Sequence, residues 1–352
     1  MPDRTPRVRA PRLVPARAVV AVALALAALA AACAPKPEAA KPAGATAFKV
    51  GLVFDVGGRG DKSFNDAAYA GLERAKRELD VDYVTLETGE GTDREAQLRQ
   101  LAAGDAQLIF GVGFLFSDDI KTLAREFPAK KFACVDFTVV PGESLPPNLV
   151  ALKFREEQGS FLVGALAAML SKTHTLGFVG GMQIPLIKKF EAGFRAGVKV
   201  VDPKATVIVK YAGNTGAAFK DPTKGKELAL AEYHAGADII FHASGSTGLG
   251  VFEAARDSKK LAIGVDSDQY GEAPGFILTS MVKRVDTAVF STIRDLKAGQ
   301  WQGGVRVFGL GEDGVGWVYD EHNRALIPDA VKAKVDSLQR EIVAGHIAVP
   351  EE

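Results

Sequence analysis

Residues 53–65, VFDVGGRGDKSFN, join an apolar run to a helical pattern, and the way they do so sets the fold class. The run from Phe48 (FKVGLVF) stops at an acidic residue, Asp55. Gly57, Gly58 and Gly60 follow, then the polar–aromatic triplet Ser63-Phe64-Asn65. From Asp66 onward Ala67, Ala70, Leu72, Ala75 and Leu79 lean to one face of a helix. A buried strand thus feeds a glycine-rich loop, and the loop feeds a helix N-terminus. Open parallel sheets gather their ligands at the carboxyl ends of strands, where such loops collect.

Outward from this stretch the same unit repeats. Apolar runs at 48–54, 83–86, 107–112 and 131–135 read as strands, separated by helical patterns at 66–79, 93–103 and 117–126. Each unit spans about thirty residues, the length of a right-handed strand–helix–strand crossover. A strand at 149–154 leads into EEQGSFLVGALAAML (156–170), a helix whose acidic first turn suits the positive end of the peptide dipoles. The alternation then starts again, with strands at 175–179, 206–210, 238–242 and 261–265. Helices are predicted near 186–200, 224–235, 247–256 and 284–298, two of them announced by Pro185 and by Asp221-Pro222. The expected fold class is α/β, two doubly wound parallel-sheet lobes. A chain of 352 residues also exceeds what one core usually organises.

The N-terminal region reads as an address. Residues 1–32 carry Arg4, Arg7, Arg9, Arg12 and Arg17 against Asp3, and Ala18 to Ala32 is apolar but short for a membrane span. Small residues before Cys33 resemble a lipobox, in which the cysteine is acylated; Ala30 stands where leucine is usual. The alternative is an ordinary secretory signal cut nearby. Residues 34–46 (APKPEAAKPAGAT) read as a Pro/Ala tether. Beyond residue 32 the chain holds 38 basic and 42 acidic residues, an acidic balance that argues against a nucleic-acid partner. Cys134 is the one other cysteine and sits in an apolar strand, so no disulfide framework is expected.

Chemistry-bearing residues stand at the strand ends. Asp55, Asp136 and Asp266 each follow an apolar run, and Phe241-His242 close another. Any one aspartate after a strand reads as a turn or cap residue; three at successive strand ends point to a ligand. Phe64 lies in a polar loop, a poor place to bury an aromatic ring, whereas Phe241 alone would be a core residue. Leu278 to Lys283 is apolar enough for a further strand and ends in a cation. Gly245-Ser-Thr-Gly-Leu-Gly250 has the wrong glycine order for a dinucleotide loop and reads as close backbone approach to a ligand or a tight turn. The five histidines show no metal spacing, Ser244 is not in a nucleophile elbow, and His242 reads as a satisfied strand residue. Neither metal nor cofactor is expected.

The segments GDKSFND, EEQGSFLVGALAAML, LGFVGGM, FEAGFRAGVKVVDP, DPTKGKELA, FHASGSTGLGVFEAARD, GVDSDQY and LTSMVKR resemble the basic membrane protein family of lipoproteins. The closest type is the purine-nucleoside receptor (PnrA-like), the substrate-binding subunit of ABC importers, and the resemblance runs from about Phe48 to Pro350. It implies a type I periplasmic-binding fold: residues 47–152 plus 282–308 as one lobe, 153–281 plus 309–352 as the other, and a hinge between. It further implies a nucleoside held between Phe64 and Phe241, with Asp55, Asn65, Asp136, Asp266 and Lys283 as polar contacts. Asp266 and Lys283 would meet the ribose and Asp136 the base, with Gly245 close by. The implied partners are ABC permease subunits and, through the lipid on Cys33, the extracytoplasmic face of the cell membrane. The Gly58-Arg59-Gly60 segment departs from the family pattern. A riboflavin or other heteroaromatic receptor on the same fold, and a nucleoside-acting hydrolase using the aspartates, are the alternatives.

Overall fold

The computed structural model describes residues 48–89 and 93–352; Cys33, the signal region and the tether lie outside the described residues. The first sheet holds β1 (Lys49–Phe54), β2 (Asp82–Glu87), β3 (Leu108–Val112), β4 (Lys131–Val135), β5 (Leu149–Phe154) and β11 (Gly304–Phe308). The second holds β6 (Thr175–Met182), β7 (Thr206–Gly213), β8 (Ile239–Ala243), β9 (Leu261–Asp266), β10 (Ile277–Lys283) and β12 (Val315–Trp317). Their orders, β11-β5-β4-β3-β1-β2 and β12-β10-β9-β8-β6-β7, are the same topology twice. The strands pair in parallel, apart from the antiparallel edge in which Met281 faces Trp317. The α/β two-lobe architecture expected from the alternation is therefore present.

Helices cover both faces of each sheet, which is why the strands are apolar on both sides. In the first lobe these are α1 (Phe64–Leu79), α2 (Arg94–Ala103) and α3 (Ser117–Glu126). Along β1 the two faces separate cleanly. Val50, Leu52 and Phe54 join the core beneath α1, whereas Val53 joins Leu98, Ile120 and Leu123 beneath α2 and α3. In the second lobe α6 (Pro222–His234) and α7 (Gly248–Ser258) cover one face, meeting Val179, Ile240 and Ala262. Asp221 starts α6 by accepting the Lys224 N–H at 2.9 Å, with Pro222 at the first helical position. Cys134 is a buried free thiol.

The chain passes between the sheets where β5 leads through α4 (Glu156–Leu170) to β6, where β10 leads through α8 (Val285–Lys297) to β11, and where β11 leads to β12. Helix α4 is buried almost all round and lies against α5 (Pro185–Val201). That pair approaches closely because glycines face it: a Cβ on Gly197 would lie 2.0 Å from the Phe161 carbonyl oxygen. Helix α9 (Asp329–Val343) completes the second lobe against α4. The short edges β11 and β12 carry no strong pattern in the sequence; helix α9 does, with Val331, Val335, Leu338 and Ile342 along one face, and is an addition to the expected elements.

Candidate functional site

The carboxyl ends of both sheets face one cavity with about 600 Å³ of empty space, part of it open to solvent. Each predicted site residue can now be placed. Asp55, Phe64, Asn65, Asp136, Gly245, Asp266 and Lys283 all line the cavity. Phe241 does not, and the expectation that it clamps a ligand is corrected. Its ring is 0 % exposed and packs at 5.3 Å, 5.7 Å and 6.5 Å from the rings of Phe194, Phe178 and Phe190. Position decides this: β8 turns Phe241 toward the α5 side, and Ala243, two residues on, is the one that reaches the cavity. The aromatic lining from the second lobe is instead Phe190 and Phe219.

The glycine-rich loop between β1 and α1 is built around a buried aspartate that no pattern in the sequence marks. Asp61, 2 % exposed, accepts from the backbone N–H groups of Ser63, Asn65 and Asp66 and from Asn65 Nδ2, at 2.8–3.1 Å. It thereby satisfies the free donors at the start of α1. Asn65 in turn accepts the Asp55 N–H at 3.0 Å, so its side chain fixes the loop as well as lining the cavity. A lone aspartate in a glycine-rich loop reads as a turn residue, so only its burial reveals the role.

Asp136 and Asp266 occupy equivalent places, after β4 and at the end of β9, and both are left-handed, with φ of 60° and 65°. Asp tolerates that region better than bulkier residues do. Gly113, after β3, has φ of 110°, and a Cβ there would lie 2.0 Å from Asp55 Oδ2. Glycine at that position makes room for the carboxylate. Gly245 is left-handed as well, with φ of 56°.

Burial dominates the electrostatics. Loss of water raises the Asp55 pKa to about 7, against the Val56 N–H that donates to Oδ1 at 2.8 Å. It raises Asp266 to about 7 too, against the Lys283 charge and the Ser63 hydroxyl that donates to Oδ2. Burial also pushes Asp61 and Asp136 upward, the latter against Lys283. For Lys283 burial works against the ammonium, but Asp136, Glu156 and Asp266 outweigh it and raise the pKa, so the charge is held. Its Nζ lies 2.7 Å from Asp136 Oδ2 and 3.0 Å from Glu156 Oε1. Asp136 Oδ1 is buried and makes no hydrogen bond. His242, held neutral by burial with a pKa lowered to about 4, lies behind the wall between Ser244 and Gln269.

The lobes also meet directly at the rim. Gln269 Nε2 donates to the Lys62 carbonyl at 3.0 Å, Ser267 Oγ to the Ser63 carbonyl at 3.3 Å, and Ser63 Oγ to Asp266. The cleft is closed, and what it offers is a set of acceptors, aromatic rings and one committed cation. Among the described residues no His/Cys/Asp/Glu cluster could hold a metal, and no helix is long and apolar enough to cross a membrane.

Comparison with known proteins agrees with this architecture. A solute-binding protein of an ABC transporter system from Aeropyrum pernix K1 superposes with a TM-score of 0.78 at 29 % identity, covering 87 % of this chain and 94 % of that one. The CD4+ T-cell-stimulating antigen of Listeria monocytogenes is 38 % identical over 326 residues, 86 % of this chain and 88 % of its own length. Basic membrane protein A of Borreliella burgdorferi is 34 % identical over 306 residues, 86 % of this chain and 87 % of its own. The profile of the Bmp family, described as "ABC transporter substrate-binding protein PnrA-like", matches residues 48–352. With sheets, cleft and profile in agreement over the whole described body, the chain belongs to the Bmp family of PnrA-like ABC transporter substrate-binding proteins.

Proposed function

We propose that the ligand is a nucleoside, most favourably a purine nucleoside, captured in the cleft and delivered to ABC permease subunits at the membrane. The observation that carries this reading is the pairing of aromatic rings from both lobes with carboxylates that line the cavity, above all Asp136, whose buried Oδ1 makes no hydrogen bond. Carboxylates accept when ionised, and Asp55 and Asp266, with pKa values raised to about 7, can also donate a proton, a set that suits the N–H groups and ring nitrogens of a base and the hydroxyls of a ribose. Base–aromatic stacking contributes about 1–3 kcal/mol per base. We assign Asp136 to the base, Asp266 and Lys283 to the ribose, and Phe64 and Phe219 to the two faces of the ring. Asp55, Asn65 and Gly245 complete the enclosure. A phosphate is disfavoured because Lys283 is already shared between two carboxylates. In the same proposal Cys33 carries a lipid that tethers the protein to the extracytoplasmic face of the membrane.

Thermal melting of the protein from residue 34 onward tests the ligand. Inosine, guanosine or adenosine should raise the melting temperature, by the equivalent of about 2.7 kcal/mol at a hundredfold excess over Kd. The 5′-monophosphates should do so weakly. A larger shift with a monophosphate or with riboflavin would overturn the assignment, and recovery of a cleaved nucleoside would point to the hydrolase. Incorporation of labelled fatty acid, abolished by Cys33→Ser, tests the anchor; wild-type protein that takes up no label would refute it.

A further inference from the structure

Behind the cavity wall lies a buried charge that the ligand reading leaves unused. Glu156, the first residue of α4, is 1 % exposed and does not line the cavity. Its Oε1 lies 3.0 Å from Lys283 Nζ, opposite Asp136 at 2.7 Å. Its Oε2 accepts from Lys189 Nζ of α5 at 3.3 Å, and the same ammonium donates to the Phe154 carbonyl at 3.0 Å. Glu157 and Glu351 also approach Lys189, at 3.3 Å and 3.4 Å. The rings of Phe154, Phe64 and Phe190 close round Lys283, with centroids at 4.9 Å, 5.2 Å and 5.7 Å.

An acidic residue in a first helical turn needs nothing more than the peptide dipoles to explain it. This one is turned onto a desolvated ammonium, which is a different role. Lys283 meets Asp136 through Oδ2 alone, and Asp136 Oδ1 makes no hydrogen bond. Glu156 supplies a second counter-charge from a place the ligand does not touch. The pair also sits at two of the chain's passages between sheets, since Glu156 follows β5 and Lys283 ends β10.

We propose that Glu156 is a positioning residue for ligand capture: it anchors the Lys283 ammonium at the crossovers and so leaves Asp136 Oδ1 free for a donor on the ligand. The affinity arm of the test rests on the nucleoside reading; the spectroscopic arm does not. Glu156→Gln is compared with Lys189→Met, which removes the other contact of Glu156 and leaves Lys283 untouched. The readouts are inosine titration calorimetry, melting temperature, and the ammonium signals of ¹⁵N-lysine-labelled protein, with Lys283→Met identifying the Lys283 signal. In Glu156→Gln the Lys283 signal should shift or broaden, and inosine should bind about tenfold or more weakly. Lys189→Met should lower the melting temperature while leaving the Lys283 signal in place and affinity within about threefold of wild type. Should Glu156→Gln fail to fold, Glu156→Asp keeps the charge, shortens its reach, and should shift the same signal. An unmoved Lys283 signal in the Glu156 variant, or equal affinity losses in the Glu156 and Lys189 variants, would overturn the proposal. If wild-type protein binds no inosine the nucleoside reading fails, and the ammonium signal still decides whether Glu156 positions Lys283.

Discussion

Phe241→Ala is expected to damage stability and spare binding, and its magnitude follows from where the ring lies. The side chain is 0 % exposed and touches three other phenylalanines at 5.3 Å to 6.5 Å between centroids. Truncating such a ring removes its transfer free energy and leaves a hole between β8 and α5, together about 3–5 kcal/mol. At about 2–4 °C per kcal/mol, the melting temperature of the empty protein should fall by roughly 6–20 °C. At 20 °C, where the variant is still folded, inosine should bind within about threefold of wild type. Phe219→Ala supplies the contrast. Phe219 is half-buried and lines the cavity, so its removal should barely move the melting temperature and should weaken inosine on the order of ten- to a hundredfold. Circular-dichroism melting and titration calorimetry on both variants read the two quantities separately. A Phe241→Ala protein that melts within about 2 °C of wild type yet binds inosine tenfold more weakly would refute the placement of that ring in the core.

Two further perturbations probe the frame around the site. Gly113→Ala forces a Cβ to within 2.0 Å of Asp55 Oδ2 at a φ of 110°, so it should displace that carboxylate and weaken nucleoside binding about tenfold or more by calorimetry; undiminished affinity would remove Asp55 from the site. Glu232 of α6 is buried with neither oxygen hydrogen-bonded, and burial raises its pKa from 4.5 to about 9. A raised carboxyl pKa means that stability present below the unfolded value is lost as pH rises toward the folded one. Glu232→Gln removes that titration, so its melting temperature should gain on wild type between about pH 5 and pH 8. A gap that does not change with pH would show the carboxyl to be ionised throughout.

What the sequence made legible was the periodic part. Strand–helix alternation carried the two sheets because doubly covered parallel strands read as continuous apolar runs, and the aspartates that end them stood out against that background. The same continuity hid Phe241. In Ile239–Ala243 every residue is buried, and Phe241 and Ala243 share a face, so the pattern does not say where along that face helix packing ends and the cleft begins. Phe219 was missed because it lies in a short turn, Gly216–Phe219, with no period of its own. Asp61 and Glu156 were visible but carried ordinary explanations, a turn residue and an acidic first turn, and only burial distinguishes them. Lys283 was singled out as a ligand contact, but its commitment to two carboxylates from distant segments required the fold.

The left-handed backbone at Asp136 and Asp266 restricts how this family could change what it recognises. At φ of 60° and 65° glycine, asparagine and aspartate fit with least strain, although Lys62, His174 and Lys259 of this chain also hold that region. Aspartate and asparagine form the two-letter alphabet that costs the backbone least: a carboxylate that only accepts when ionised, or an amide that both donates and accepts. One nucleotide change moves between the letters without moving the main chain. Under the nucleoside proposal, preference among bases that differ by exchanging an amino group for a carbonyl can then drift stepwise in a fixed scaffold. Placing a cation there, as an anionic cargo would demand, costs backbone strain of the kind that Lys62 and Lys259 already bear elsewhere in this chain.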